Sequence, residues 1–193
     1  MKKLKFALLA MATMMLSVGF TACGDDNDEP SDPTGGDEPQ VEEQVPRSAM
    51  VRYYFDPTSD MLEVYDVYVY YFDRCEIQSR QITGKTEFTG NTLVLPGMCG
   101  YKVVTKMKEG YVATRDSYDI RIEVDLSNYA VYDQNGKVIE ALTHPGTTSK
   151  VGRTEVTAEG LATFDGHRVT ELVYEIGTDG KMKIIQNFDW DNY

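Results

Sequence analysis

The chain has 193 residues and a mass of 21.8 kDa, with 41% hydrophobic and 26% charged residues. That size fits one ordinary globular domain plus an additional segment. No apolar run beyond the N-terminus approaches the roughly 20 residues of a spanning helix, which excludes a multipass membrane protein, and the composition excludes a coiled coil or a collagen-like repeat.

The formal net charge of -12 is unevenly placed. Residues 24–46 hold nine acids (Asp25, Asp26, Asp28, Glu29, Asp32, Asp37, Glu38, Glu42 and Glu43) and no Lys or Arg. Setting these aside with Lys2, Lys3 and Lys5 leaves 22 acids against 16 bases for residues 47–193, a net of only -6. Nucleic-acid binding is disfavoured, because neutralising phosphates requires a concentrated basic run and none is present.

Residues 1–22 have the three parts of an export signal: the basic start, an apolar stretch over 6–20, and small residues before a break. About 15 apolar residues followed by acid are too few to span a bilayer comfortably, so the segment reads as a removable signal peptide. The break, Phe20-Thr21-Ala22-Cys23, resembles the lipobox of bacterial lipoproteins, although Phe20 stands where an aliphatic residue is usual. The resemblance implies that Cys23 becomes the new N-terminus and carries a thioether-linked diacylglyceryl group. Each buried methylene contributes about 0.8 kcal/mol, and two or more chains make stable anchoring. Lipid on Cys23 is the one covalent group expected; no cofactor is.

The acidic run after Cys23, Gly24-Asp25-Asp26-Asn27-Asp28-Glu29, looks like the surface-export signal of Bacteroidetes-type lipoproteins. It points to the outer membrane and the cell surface, the alternative being a periplasm-facing anchor with the acids as a solvated linker. Residues 23–46 also contain Pro30, Pro33, Pro39, Pro46 and Gly35-Gly36 with few apolar residues, and read as a disordered tether. Fully extended it would reach about 80 Å, and on average about 30 Å or somewhat more.

The domain is expected over 47–193, where alternation with period two dominates. Tyr118, Ile120, Ile122, Val124 and Leu126 alternate with Asp119, Arg121, Glu123 and Asp125, the pattern of a half-buried strand. Further strands are predicted at 50–55, 64–72, 76–82, 92–95, 101–107, 129–132, 137–142, 169–176 and 181–186. Asp56-Pro57-Thr58-Ser59-Asp60 joins the first two, and Asn135-Gly136 and Asp179-Gly180 supply the positive φ that tight hairpins need. Residues 154–164 leave room for one helical turn. Eight to ten short strands predict an all-β antiparallel sandwich, with an up-and-down barrel as the alternative.

The strand expected over 59–69, Ser59-Asp60-Met61-Leu62-Glu63-Val64-Tyr65-Asp66-Val67-Tyr68-Val69, and the stretch from Asp116-Ser117-Tyr118 to Tyr132-Asp133-Gln134-Asn135-Gly136-Lys137 resemble small Bacteroidetes-type lipoproteins of unassigned function. That resemblance implies a single β domain, immunoglobulin-like, on a lipid anchor. It supplies no catalytic residues.

With Cys23 lipidated, Cys75 and Cys99 are the remaining thiols and could pair in an oxidising compartment. A disulfide there would constrain the unfolded chain by roughly 3 to 4 kcal/mol in the entropy model; two separate thiols are the other reading. Neither implies catalysis. The two histidines, His144 and His167, lie in turn-like contexts without the second ligand a zinc site shows at short spacing, so no metal site is expected. No nucleophile elbow marks a Ser/His/Asp triad. Glu63, Asp66, Glu123 and Asp125 could serve carboxylate-based hydrolysis only by converging, and Glu123 and Asp125 belong to the charged face of a strand. Asp189-Trp190-Asp191-Asn192 offers oxygens to calcium but lacks the ordered loop of a recognised site.

The 13 tyrosines are the more informative surplus. In the 64–72 strand, Val67, Val69 and Tyr71 share one face, and Tyr68, Tyr70 and Phe72 the other. Either the strand is covered on both sides, or Tyr68 and Tyr70 form an exposed aromatic platform for a sugar or a surface-protein partner, with Trp190 as a second candidate. The expectation is therefore a non-enzymatic, membrane-anchored binding or assembly module. A glycan-binding accessory of a nutrient-uptake system is the alternative, and a carboxylate hydrolase the weakest reading.

Overall fold

A computed structural model describes residues 43–92, 94–142 and 148–193. The signal segment, Cys23, most of the tether and His144 lie outside the described residues.

Period-two alternation builds the first strand, β1 (Pro46–Pro57), which buries Ala49, Val51, Tyr53 and Phe55 and turns Arg52, Tyr54 and Asp56 outward. A short helix, α1 (Ser59–Val64), follows where the sequence reads as a turn running into a strand over 59–69, so the first half of that strand is corrected to helix. Thr58 caps it, its Oγ1 accepting from the Met61 N–H at 3.3 Å, and Met61 and Val64 drop into the core. The chain continues through β2 (Tyr65–Asp73), β3 (Glu76–Ile82), β4 (Thr86–Asn91), β5 (Gly97–Met107), β6 (Ser117–Asp133), β7 (Thr148–Thr157), β8 (Arg168–Ile176) and β9 (Met182–Ile184).

These strands form two antiparallel sheets, β4-β1-β6-β7 and β3-β2-β5-β8-β9. The protein is an antiparallel β-sandwich. Its core joins Val51, Tyr53, Phe55, Ile120, Ile122 and Val124 of the first sheet to Val67, Val69, Tyr101 and Val103 of the second. Tyr53, completely buried, crosses the interface: its hydroxyl donates to the Phe72 carbonyl (3.0 Å) and accepts from the Gly100 N–H (3.2 Å). In constant-type immunoglobulin domains the first two strands share a sheet. Here β1 and β2 lie in opposite sheets, so the strand order departs from that arrangement.

Several boundaries differ from the sequence expectation for physical reasons. The strand expected at 92–95 is displaced to β4, whose one large apolar residue is Phe88. Thr92 instead ties the following connection to β1, its N–H donating to the Ala49 carbonyl at 2.9 Å. The segments 118–126 and 129–132 are one 17-residue strand, β6, with a register shift where β1 passes from Met50 to Arg52. The strand expected at 137–142 reduces to a single bridge between Tyr132 and Val138 and the 3-10 turn Glu140–Leu142. β7 was hidden because its residues are mostly polar and exposed, as suits an edge strand. The helical allowance at 154–164 is a 3-10 helix, Glu159–Phe164. Both hairpin glycines take the expected left-handed backbone, φ 76° at Gly136 and 74° at Gly180.

Candidate functional site

The two outer faces of the sandwich differ in chemistry. That of β4-β1-β6-β7 is ion-paired: Arg52 with Glu87, Glu123 with Lys150 at 3.3 Å, Arg121 with Asp119 at 2.6 Å. This is an ordinary solvated surface, and each exposed pair contributes little stability.

The outer face of the five-stranded sheet is aromatic. Strand β2 is an interior strand between β3 and β5, so alternation sends Val67 and Val69 into the core and Tyr68, Tyr70 and Phe72 to the outer side. Phe72 is nonetheless only 1% exposed. The C-terminal segment after β9 folds back over it, with ring centroids of Phe188, Trp190 and Tyr193 at 5.5, 5.3 and 5.3 Å. Tyr68 and Tyr70 remain half-buried beside this cap. The Phe72 end of the strand is therefore covered, while Tyr68 and Tyr70 are half-buried rather than fully exposed.

Register then brings polar groups among the rings. Tyr70 pairs with Lys102 of β5, and Lys102 with Glu171 of β8. The Lys102 ammonium lies 5.0 Å from the Tyr70 ring and 5.4 Å from the Trp190 ring, within cation-π range of both. The Trp190 indole N–H donates to Glu171 Oε2 at 3.0 Å, and Arg168 holds the other carboxylate oxygen. Tyr68 and Tyr70, singled out on one strand, and Trp190, singled out near the C-terminus, thus share one outer face, with Lys102 between Tyr70 and Trp190. Sequence reasoning missed Lys102 and Glu171, whose role depends on a strand register that alternation does not reveal.

The remaining candidates are dispersed. Cys75 and Cys99 are separate free thiols: Cys99 is buried, which pushes its pKa up to about 12, and Cys75 Sγ donates to the Thr92 carbonyl at 2.8 Å. Glu63 joins Asp60 in gripping Arg115, at 2.7 and 2.9 Å, Asp66 accepts from Gln81, and Glu123 faces Lys150. Asp189, offered as a calcium oxygen donor, is engaged by the Asn192 amide at 2.7 Å and the Asp191 N–H at 3.1 Å, and these bonds hold its carboxyl below the usual carboxylate range. Among the described residues no group of three or more His, Cys, Asp and Glu side chains is placed to hold a metal ion, and no helix is long and apolar enough to cross a membrane.

No family model, curated protein or solved structure matches the chain.

Proposed function

We propose that this protein is a lipid-anchored lipoprotein of the outer membrane, displayed at the cell surface through its acidic tether, that works without catalysis as a glycan-binding module. The contact surface is the outer face of the five-stranded sheet. The observation that carries this reading is the one outer face shared by Tyr68, Tyr70 and Trp190, with Lys102 between Tyr70 and Trp190 and Glu171 bonded to the indole. Sugar rings offer apolar C–H faces and a rim of hydroxyls. Flat aromatic side chains stack on the first, and interleaved charged groups hydrogen-bond the second. The opposite outer face carries instead the ion pairs Arg52–Glu87, Arg121–Asp119 and Lys150–Glu123.

Trp190 is the only tryptophan in the chain, so intrinsic fluorescence reports directly on this face. The test titrates the full-length chain in detergent with a panel of soluble glycans. A saturable change in Trp190 emission, lost in Tyr68→Ala and Tyr70→Ala, is the expected result. A flat response across the panel overturns the glycan assignment. Protease shaving of intact cells, with a periplasmic protein as control, tests the surface placement: the domain should be digested while the control survives.

A further inference from the structure

We propose a second binding site, linked to the aromatic face through the Arg168–Glu171 pair: the open cleft between β7 and the start of β8 takes an oxyanion group, a carboxylate or sulfate. The cleft encloses ≈ 570 Å³. Small-molecule sites commonly occupy about 300 to 1,000 Å³. Its lining includes Arg153, Thr163, Phe164, His167 and Arg168, and no carboxylate contributes to it. In a chain of net charge -12, two guanidinium groups and an imidazole on one cleft without an acid form a local reversal of sign.

The backbone of β7 is shaped to deliver Arg153 there. Gly152 has φ +118°, and a Cβ at that position would stand 2.1 Å from the Ile120 carbonyl oxygen, so only glycine fits. Directly after it, the register against β6 shifts between Tyr118 and Ile120, and Glu155 takes φ 55°. Such bulges bend a strand and re-aim a side chain. Arg153 ends 5.8 Å from the Phe164 ring centroid and, among the described residues, has no acidic partner within ion-pair distance. Arg168 gives one guanidinium nitrogen to Glu171; its remaining donors make no hydrogen bond among the described residues.

Nearby acids are otherwise engaged or directed elsewhere. Asp165 Oδ1 accepts from the Met107 N–H at 2.7 Å, and Glu171 is shared between Arg168 and Trp190. Arg153 and Arg168 both line this space, a guanidinium fork matches the oxygens of a carboxylate or sulfate, and Phe164 adds an apolar side chain to the lining.

The test is a ¹H–¹⁵N NMR titration of the full-length chain in detergent with sodium sulfate, glucuronate and, as a neutral control, glucose, at ionic strength held constant with chloride. Saturable shifts of the Gly152, Arg153 and Thr163 to Arg168 amides with sulfate or glucuronate, and none with glucose, are expected. Arg153→Ala should weaken the apparent affinity by about tenfold or more, Arg153→Lys by less, and Arg153→Ala with Arg168→Gln should abolish saturation. Unchanged amides elsewhere show that the variants are folded. Tighter glucuronate identifies a sugar acid as the source of the group, and tighter sulfate a small inorganic anion. Shifts that grow linearly with either anion, or that persist unchanged in the double variant, overturn the site. Arg168 touches both sites through Glu171, so Arg153→Ala, whose ring contact is with Phe164, is the variant that separates them: it should weaken the anion shifts and leave the glycan response of Trp190 unchanged.

Discussion

The indole N–H of Trp190 donates to Glu171 Oε2 at 3.0 Å, binding the C-terminal segment to β8 by a directional bond while ring contacts hold it to Phe72 of β2. The position of Trp190 on the outer face therefore depends on a residue 19 positions earlier. Glu171→Ala should release this tie, moving Trp190 emission to the red, increasing its quenching by iodide and costing about 1 kcal/mol in urea denaturation. Glu171→Gln, which keeps an acceptor oxygen, should fall between. An emission spectrum unchanged in both variants would show that ring packing alone holds the segment.

Tyr53 offers a sharper stability test. Its hydroxyl serves two groups on different strands of the opposite sheet, the Phe72 carbonyl and the Gly100 N–H, at a site with no access to water. Tyr53→Phe keeps the ring and strands both partners, which should cost about 1 to 3 kcal/mol. Tyr54→Phe on the outer face, where the hydroxyl reaches only Asp56 beside solvent, should change stability by less than about 0.5 kcal/mol. Equal effects at the two positions would contradict the buried role assigned to Tyr53.

Alternation along β1, β2 and β6 made the sandwich readable from the residues, because each of these strands has one buried and one outer face. β7 was illegible for the same reason reversed: an edge strand with mostly polar side chains has no buried face to announce it. The helix α1 was concealed by its length, since six residues starting from a Pro-Thr-Ser-Asp turn show no helical period. At the candidate surface, parity along β2 put Tyr68 and Tyr70 together, and Trp190 drew notice as the lone indole. What joins them is Lys102, and its placement follows from antiparallel register across three strands, which is a tertiary property.

The two domain cysteines should differ in reactivity. Cys99 is buried and its thiol is pushed up to about 12 by loss of solvation, so almost none is thiolate at neutral pH. Cys75 is partly accessible. A thiol reagent should therefore label Cys75 in the folded full-length chain and reach Cys99 only after denaturant is added, with no mass change on reduction. Absence of both thiols in denaturant under non-reducing conditions would instead establish a bond between Cys75 and Cys99.

Buried tyrosines set an alkaline limit. Desolvation pushes Tyr65 and Tyr101 up to about 12, and raises Tyr53 and Tyr129 as well; the Tyr65 hydroxyl donates to the Leu161 carbonyl at 2.6 Å in the interior. An unfolded tyrosine ionises near pH ~10. Below that value both states keep the phenolic proton and the stability is fully present. Above it the unfolded chain loses protons that the folded chain retains, so stability falls as pH rises through the window from about 10 to about 12, by up to ~1.4 kcal/mol per pH unit for each such tyrosine. Urea midpoints should begin to fall above about pH 9, where an unfolded Cys99 ionises while the buried thiol keeps its proton, and drop more steeply above about pH 10 as the tyrosines join. Tyr65→Phe and Tyr101→Phe, combined, should flatten that drop while lowering the neutral-pH midpoint through the lost Tyr65 hydrogen bond. A midpoint that stays level to about pH 11, or a drop of equal slope in the double variant, would show that these phenols are not the groups that limit the fold in alkali.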